Sequence, residues 1–250
     1  MLTQSILLFI AVGFVAQIID GALGMAYGVT STTVLLSLGV PPALASASVH
    51  AAEVFTTGVS GLSHFRFGNV RRSLFLSLLI PGVVGGILGA YILTELDSAI
   101  IKPFVAAYLL IMGLLILYKA FRTPAEPTEV KRGLIPLGFF GGFMDAIGGG
   151  GCGPIVTSTL VAQGNHPRFT VGSVNLVEFF VTFAQSVTFV LTLGSLAAYW
   201  HAIVGLLIGG IIAAPLAAYV CKLIPPRALM KLVGVLITIL SIRTIYLALA

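Results

Sequence analysis

Charge is what this sequence has least of. Of 250 residues, 13 are basic and 8 acidic, so 8% carry formal charge, where a water-facing domain needs roughly 25%. With 58% hydrophobic residues and a mean hydropathy of +1.11, that scarcity excludes an ordinary soluble domain; the solvent is lipid. Cysteine is nearly absent as well. Cys152 and Cys221 sit in different hydrophobic segments and offer neither a disulfide framework nor metal-ligand spacing, so no metal and no cofactor is expected. The chain also lacks a G-x-x-x-x-G-K-[ST] phosphate loop and any loop long enough to form a nucleotide-binding domain, which excludes an ATP site. The net charge of +5 would suggest nucleic acid in a soluble protein. In a polytopic membrane protein it reflects basic cytoplasmic loops, with no nucleic-acid partner.

What is present is a series of apolar stretches: residues 5–38, 42–65, 72–94, 98–121, 133–163, 168–193, 196–222 and 226–249. At about 20 residues per membrane helix, the chain is filled by roughly eight segments and has no room for a second, soluble domain. No Lys or Arg and no small-residue cleavage site accompanies the first stretch, so it is expected to remain as the first membrane segment. The one soluble piece, residues 122–132, mixes prolines with charges and reads as a cytoplasmic linker. It separates a first repeat, 1–121, from a second, 133–250.

The repeat emerges when the sequence is shifted by 125 residues. Gly13, Asp20, Gly24, Gly28, Thr32, Gly39, Pro42, Ser48, Glu53 and Thr57 then meet Gly138, Asp145, Gly149, Gly153, Thr157, Gly164, Pro167, Ser173, Glu178 and Thr182. Fourteen of the 48 positions from 13 to 60 are identical without a gap. Most of these are Gly, Pro, Asp, Glu, Ser and Thr, which apolar composition does not match by chance. The first stretch of each half is too long for one spanning helix and is broken, by residues 21–28 in one copy and by the four glycines and proline of 145–154 in the other. Arms of about 15 residues reach roughly 22 Å, short of a hydrocarbon core about 30 Å thick, which predicts a re-entrant hairpin.

Basic residues choose between topologies. Eight plain crossings place eight Lys and Arg on one side and five on the other. If both broken stretches return to the side they entered from, the split becomes eleven to two, with only Lys102 and Arg243 outside. Each half then has three crossings, the second copy is inverted relative to the first, and both termini face outside. The expected fold is therefore an all-α integral membrane protein of two inverted repeats, each a broken re-entrant hairpin plus three transmembrane helices.

Four acids fall within apolar segments, as two repeat-related pairs: Asp20 with Asp145, and Glu53 with Glu178. An unpaired carboxylate in hydrocarbon costs several kcal/mol, so each needs a proton, hydrogen bonds or a wet cavity. Asp20 and Asp145 enter Gly-rich turns, where a carboxylate either caps the following helix or takes part in coupling. Glu53 shares a helix face with Ser46, His50 and Thr57, and Glu178 shares the equivalent face with Asn175 and Thr182. Two such stripes meeting at the midplane suit proton coupling, because a desolvated carboxylate holds its proton more tightly than one in water. The duller reading is an interhelical clamp. The broken tips expose backbone N–H groups at the positive ends of half-helices. Tyr27, Gly28, Thr30 and Ser31 in one tip, and Gly150, Gly151, Cys152 and Gly153 in the other, with His50 and Asn175 beside them, are the expected cradle for a small anion.

The residues 20–28 and 145–154, each followed by its Ser-Val-x-x-x-Glu element (48–53 and 173–178), resemble the sulfite exporter (TauE/SafE) family of membrane permeases across nearly the whole chain. The resemblance implies a secondary transporter of small sulfur-containing anions such as sulfite or short organosulfonates, commonly an exporter, driven by the proton gradient in the inner membrane. Small symmetric transporters often form homodimers. Two alternatives stay open: a passive anion channel, and an intramembrane enzyme using Cys152 with His50. Topology is directly testable. A reporter fused near Pro127 and another at Ala250 are expected on opposite membrane faces; the same face for both contradicts the inverted arrangement.

Overall fold

A computed structural model describes residues 6–23, 25–121, 133–194, 196–223 and 226–249. Ten α-helices are described, with no strand among the described residues: α1 Ile6–Leu23, α2 Tyr27–Ser37, α3 Pro42–Arg66, α4 Arg72–Glu95, α5 Ser98–Ala120, α6 Leu134–Gly148, α7 Ser158–Ala162, α8 Pro167–Leu193, α9 Trp200–Leu223 and α10 Pro226–Leu249. A π-helical turn, Gly151–Thr157, joins α6 to α7. The linker expected at 122–132 lies outside the described residues. Five helices are long and apolar enough to cross a membrane by length and composition. Their outward faces carry large apolar side chains such as Ile80, Val84, Phe104, Ile111 and Ile239, which suits a lipid surround. The chain is an all-α integral membrane protein. At 25 residues α3 is also long enough to span, but its polar stripe keeps its hydropathy low.

The matched glycines and prolines have matched tasks. Gly39 (φ +89°) and Gly164 (φ +92°) end α2 and α7 in the left-handed region. In each case the next residue donates back to a helix carbonyl, Val40 to Leu35 at 3.1 Å and Asn165 to Leu160 at 2.9 Å, a C-terminal cap that only glycine enters cheaply. Pro42 and Pro167 then open α3 and α8 at the first helical turn, where a missing N–H costs nothing.

Element pairing follows the repeat. Helix α1 packs on α9 as α6 packs on α4, α3 packs on its counterpart α8, and α5 packs on its counterpart α10. Where Thr57 meets Thr182, Gly58 meets Phe179 and Gly61 meets Leu176, one number rises as the other falls, so α3 and α8 run antiparallel. Gly113 against Ile237 and Gly234 against Leu117 show the same for α5 and α10. Helix α6 instead runs parallel to α4, with Gly138 near Leu78, Gly85 near Phe139 and Gly89 near Phe143.

Leu134 and Leu137 at the start of α6 and Leu160 in α7 belong to one apolar cluster with Leu74 and Leu78 of α4. Close by, Arg168 Nε donates to Asn69 Oδ1 at 2.6 Å and Arg71 N to Ser173 Oγ at 2.8 Å, setting the start of α8 beside the α3–α4 turn. The arms of the hairpins are less even than their sequence suggests. Helix α1 has 18 residues and α2 only 11, while the returning arm of the second copy begins as a π-helical turn. Pro154 within it has no N–H to give to a regular α-helical ladder.

Candidate substrate site where two broken helices meet

The two tips touch through glycine backbone. A Cβ at Gly149 would lie 2.5 Å from Gly28 Cα, and a Cβ at Gly28 would strike the Gly149 carbonyl. No larger residue fits at either place without parting the tips. Gly149 itself has φ +69°, so the reversal at the end of α6 needs glycine twice over, for conformation and for space.

Each tip is closed by its aspartate. Asp145, buried to 1% exposure, accepts on Oδ1 from Gly151 N at 3.1 Å and Cys152 N at 3.3 Å, capping the returning arm. Its Oδ2 faces His50 Nε2 at 3.3 Å and Gln185 Nε2 at 3.4 Å. In the first copy Asp20 accepts, among the described residues, one longer bond from Tyr27 N, 3.4 Å, and the residue before Tyr27, Ala26, takes a left-handed φ of +108°. The difference follows from the sequence. His50 is matched by Asn175 and Gln185 by Ser60, so one aspartate gained two side-chain partners that the other does not show.

The His50 ring also fixes proton positions. Nδ1 lies 2.8 Å from the Ser46 carbonyl, an acceptor only, so Nδ1 carries a hydrogen. Nε2 then faces a carboxylate oxygen, and that contact requires one further proton, held on either His50 or Asp145. Ser46 Oγ donates to the Ala146 carbonyl and Gln185 Nε2 to the Gly142 carbonyl at 3.0 Å. Helices α3 and α8 are thus both tied to the end of α6.

Other sequence-predicted residues fall into two groups. Some are engaged in packing. Tyr27 sends its hydroxyl to the Leu206 carbonyl at 3.1 Å. Asn175 accepts from Ser60 at 2.9 Å and donates to the Val171 carbonyl at 3.1 Å, while Thr57 and Thr182 meet hydroxyl to hydroxyl at 3.4 Å. The second group has buried polar atoms with no hydrogen-bond partner among the described residues, Thr30 Oγ1, Ser31 Oγ and Glu53 Oε2; Thr32 Oγ1, which the sequence did not single out for the site, is alike. The ligand atoms of Asp145, Cys152 and Glu178 lie within 4.8 Å of one another. Gly150 and Gly151 are pressed against Tyr108 and against Asp145, while Gly153 lies within the π-helical turn. Sequence reasoning missed Gln185 and Tyr108. Gln185 continues the 178–182 face and was findable by spacing; Tyr108, whose buried hydroxyl has no partner beside Gly150, gives no sequence signal.

Unequal bonding predicts unequal stability. Asp145→Ala leaves two backbone amides, the Gln185 amide and the His50 ring without their carboxylate partner and is expected to cost about 3 kcal/mol, against about 1 kcal/mol for Asp20→Ala. Denaturation of both variants in detergent micelles measures this, and equal losses contradict the assignment.

Two comparisons bear on what the site serves. The family profile Sulfite exporter TauE/SafE matches residues 9–244. A relative from Bacillus subtilis (strain 168), the probable membrane transporter protein YtnM, is 41% identical over 249 residues, covering 97% of this chain and 83% of its own length. With the broken helices meeting in the core of an all-α membrane protein, these matches establish a membrane transporter rather than an enzyme, and the chain belongs to the TauE/SafE sulfite exporter family.

Proposed function

We propose that the protein is a proton-coupled secondary transporter, an exporter, of small sulfur-containing anions such as sulfite or short organosulfonates, which bind between the two tips. The observation that carries this reading is the meeting of the tips at Gly28 and Gly149 beside buried, unpartnered Thr30 and Ser31 hydroxyls. The first turn of α2 points unpaired N–H groups and a partial positive charge to that place, so an oxyanion finds donors there without an intramembrane Lys or Arg. Membership of the sulfite exporter family agrees with the sign of that charge.

Antiparallel packing of α3 on α8 and of α5 on α10 supports two inverted repeats that rock against one another. In this arrangement both termini lie outside, 122–132 lies inside, and the protein resides in the cell's inner membrane. Glu53 and Glu178 flank the Thr57–Thr182 contact, one turn from it on each helix. A proton taken by either removes a charge from the helix crossing and so shifts the balance between inward-open and outward-open forms. Asp20 and Asp145 hold the tips in shape while this occurs.

Reconstituted into liposomes, the wild-type protein is expected to move sulfite in response to an imposed pH gradient. Glu53→Gln and Glu178→Gln are expected to abolish that response. Flux that remains equally pH-driven in both variants removes these carboxylates from coupling, and undiminished flux with no pH dependence even in the wild type identifies a passive channel.

A further inference from the structure

A basic side chain stands against the returning arm of each hairpin, and both come from the α5–α10 pair. Lys119, in the last turn of α5, donates from Nζ to the Pro154 carbonyl at 3.1 Å. Arg243 of α10 donates from Nη1 to the Ser37 carbonyl at 2.6 Å. Shifted by 125 residues, Arg243 meets Tyr118, the neighbour of Lys119, so counterpart helices carry a cation at adjoining positions. Helices α5 and α10 run antiparallel, with Gly113 against Ile237 and Gly234 against Leu117. The two cations therefore lie toward opposite ends of the pair and serve one hairpin each.

Both carbonyls are ones that a helix leaves over. Ser37 is the last residue of α2, where carbonyls have no intrahelical donor and a basic side chain is an ordinary cap. Pro154 differs, because it lies within the π-helical turn. In a regular α-helix the Ser158 N–H would meet the Pro154 carbonyl. Here the N–H groups that close the turn go to the Gly153 and Ile155 carbonyls, and the Pro154 carbonyl between them is passed over, as happens where five-residue spacing gives way to four. Thr157 marks the same spacing: its Oγ1 donates to the Cys152 carbonyl, five residues back, at 3.3 Å. A buried carbonyl that is passed over is costly until it finds a donor. Lys119 supplies one, and its charge makes the bond stronger than a neutral donor would.

We infer that Lys119 is a positioning residue of the second tip: its ammonium holds the returning arm in the π-helical register that sets Gly151 and Cys152 against Asp145. Without that bond the arm gains by returning to α-helical spacing, in which the Ser158 N–H takes the Pro154 carbonyl. Removing one residue from a turn of 3.6 swings Gly151 and Cys152 by about 100° relative to α7. That takes them away from the carboxylate oxygen they now share at 3.1 and 3.3 Å. Tyr108 and Met112, which lie beside Gly150, make α5 the wall along which this arm is set.

The readout is the arm itself and requires no substrate, so its outcome is separate from that of the transport reading. In a Cys221→Ser background, alkylation of Cys152 by a small maleimide is followed in detergent micelles, well below the unfolding midpoint of each variant. Lys119→Met is expected to raise the rate about tenfold, and Lys119→Arg, which keeps a charged donor, to stay close to the wild-type rate. Thr157→Val removes the other bond of five-residue spacing and is expected to raise the rate as well. Combined with Lys119→Met it adds little further, because both changes release the same register. An unchanged or slower rate in Lys119→Met, a rate in Lys119→Arg as high as that of Lys119→Met, or full multiplication of the two single effects overturns the inference. If Lys119→Met does not fold, Lys119→Gln takes its place, with a rise of about threefold expected for a neutral donor and no rise overturning the assignment.

Discussion

A single buried carboxylate organises this molecule. Breaking a helix in mid-membrane frees backbone N–H groups that lipid cannot satisfy, and burying an aspartate in the same place creates a charge that lipid cannot solvate. Asp145 meets both costs at once, accepting from Gly151 and Cys152 on one oxygen and facing His50 and Gln185 with the other. Because those side chains come from α3 and α8, the cap is also the joint between the second hairpin and the helix pair at the centre of the fold. The closeness of the tips, the shape of the returning arm and the position of Cys152 all depend on it.

Duplication supplied two copies of this solution, and divergence has made them unequal. The first tip keeps its aspartate but shows one long bond among the described residues and a strained Ala26, together with hydroxyls at Thr30 and Ser31 where the second tip has Ile155 and Val156. The second has a thiol and better-anchored backbone. A site built from two identical tips would present the same chemistry twice. This one presents hydroxyls and a helix N-terminus in one tip and a carboxylate with a thiol in the other.

Much of this was legible in the sequence because the informative residues are rare types in an apolar background. Gly39 with Gly164 and Pro42 with Pro167 mark helix ends that the structure caps in the same way, and the paired Asp and Glu positions mark the tips and the central helices. The start of α8 lies beside the α3–α4 turn, which brings two of the scarce basic residues, Arg71 and Arg168, to one place. What stayed hidden depends on who meets whom across the bundle. Nothing in the sequence distinguishes His50, bound to Asp145, or Asn175, bound to Ser60, from a free ligand-binding side chain. Tyr108 is one aromatic residue in an apolar helix, and the π-helical turn around Pro154 reflects a local competition that the glycine run alone does not resolve.

The central claim is that substrate lies between the tips, against Cys152. With Cys221 replaced by serine, Cys152 is the only thiol in the chain, and its alkylation by a small membrane-permeant reagent reports access to that place. A saturating organosulfonate is predicted to slow alkylation in proportion to its occupancy, with a half-maximal concentration equal to its binding constant. Saturation of binding with no change in the alkylation rate of Cys152 would contradict the account.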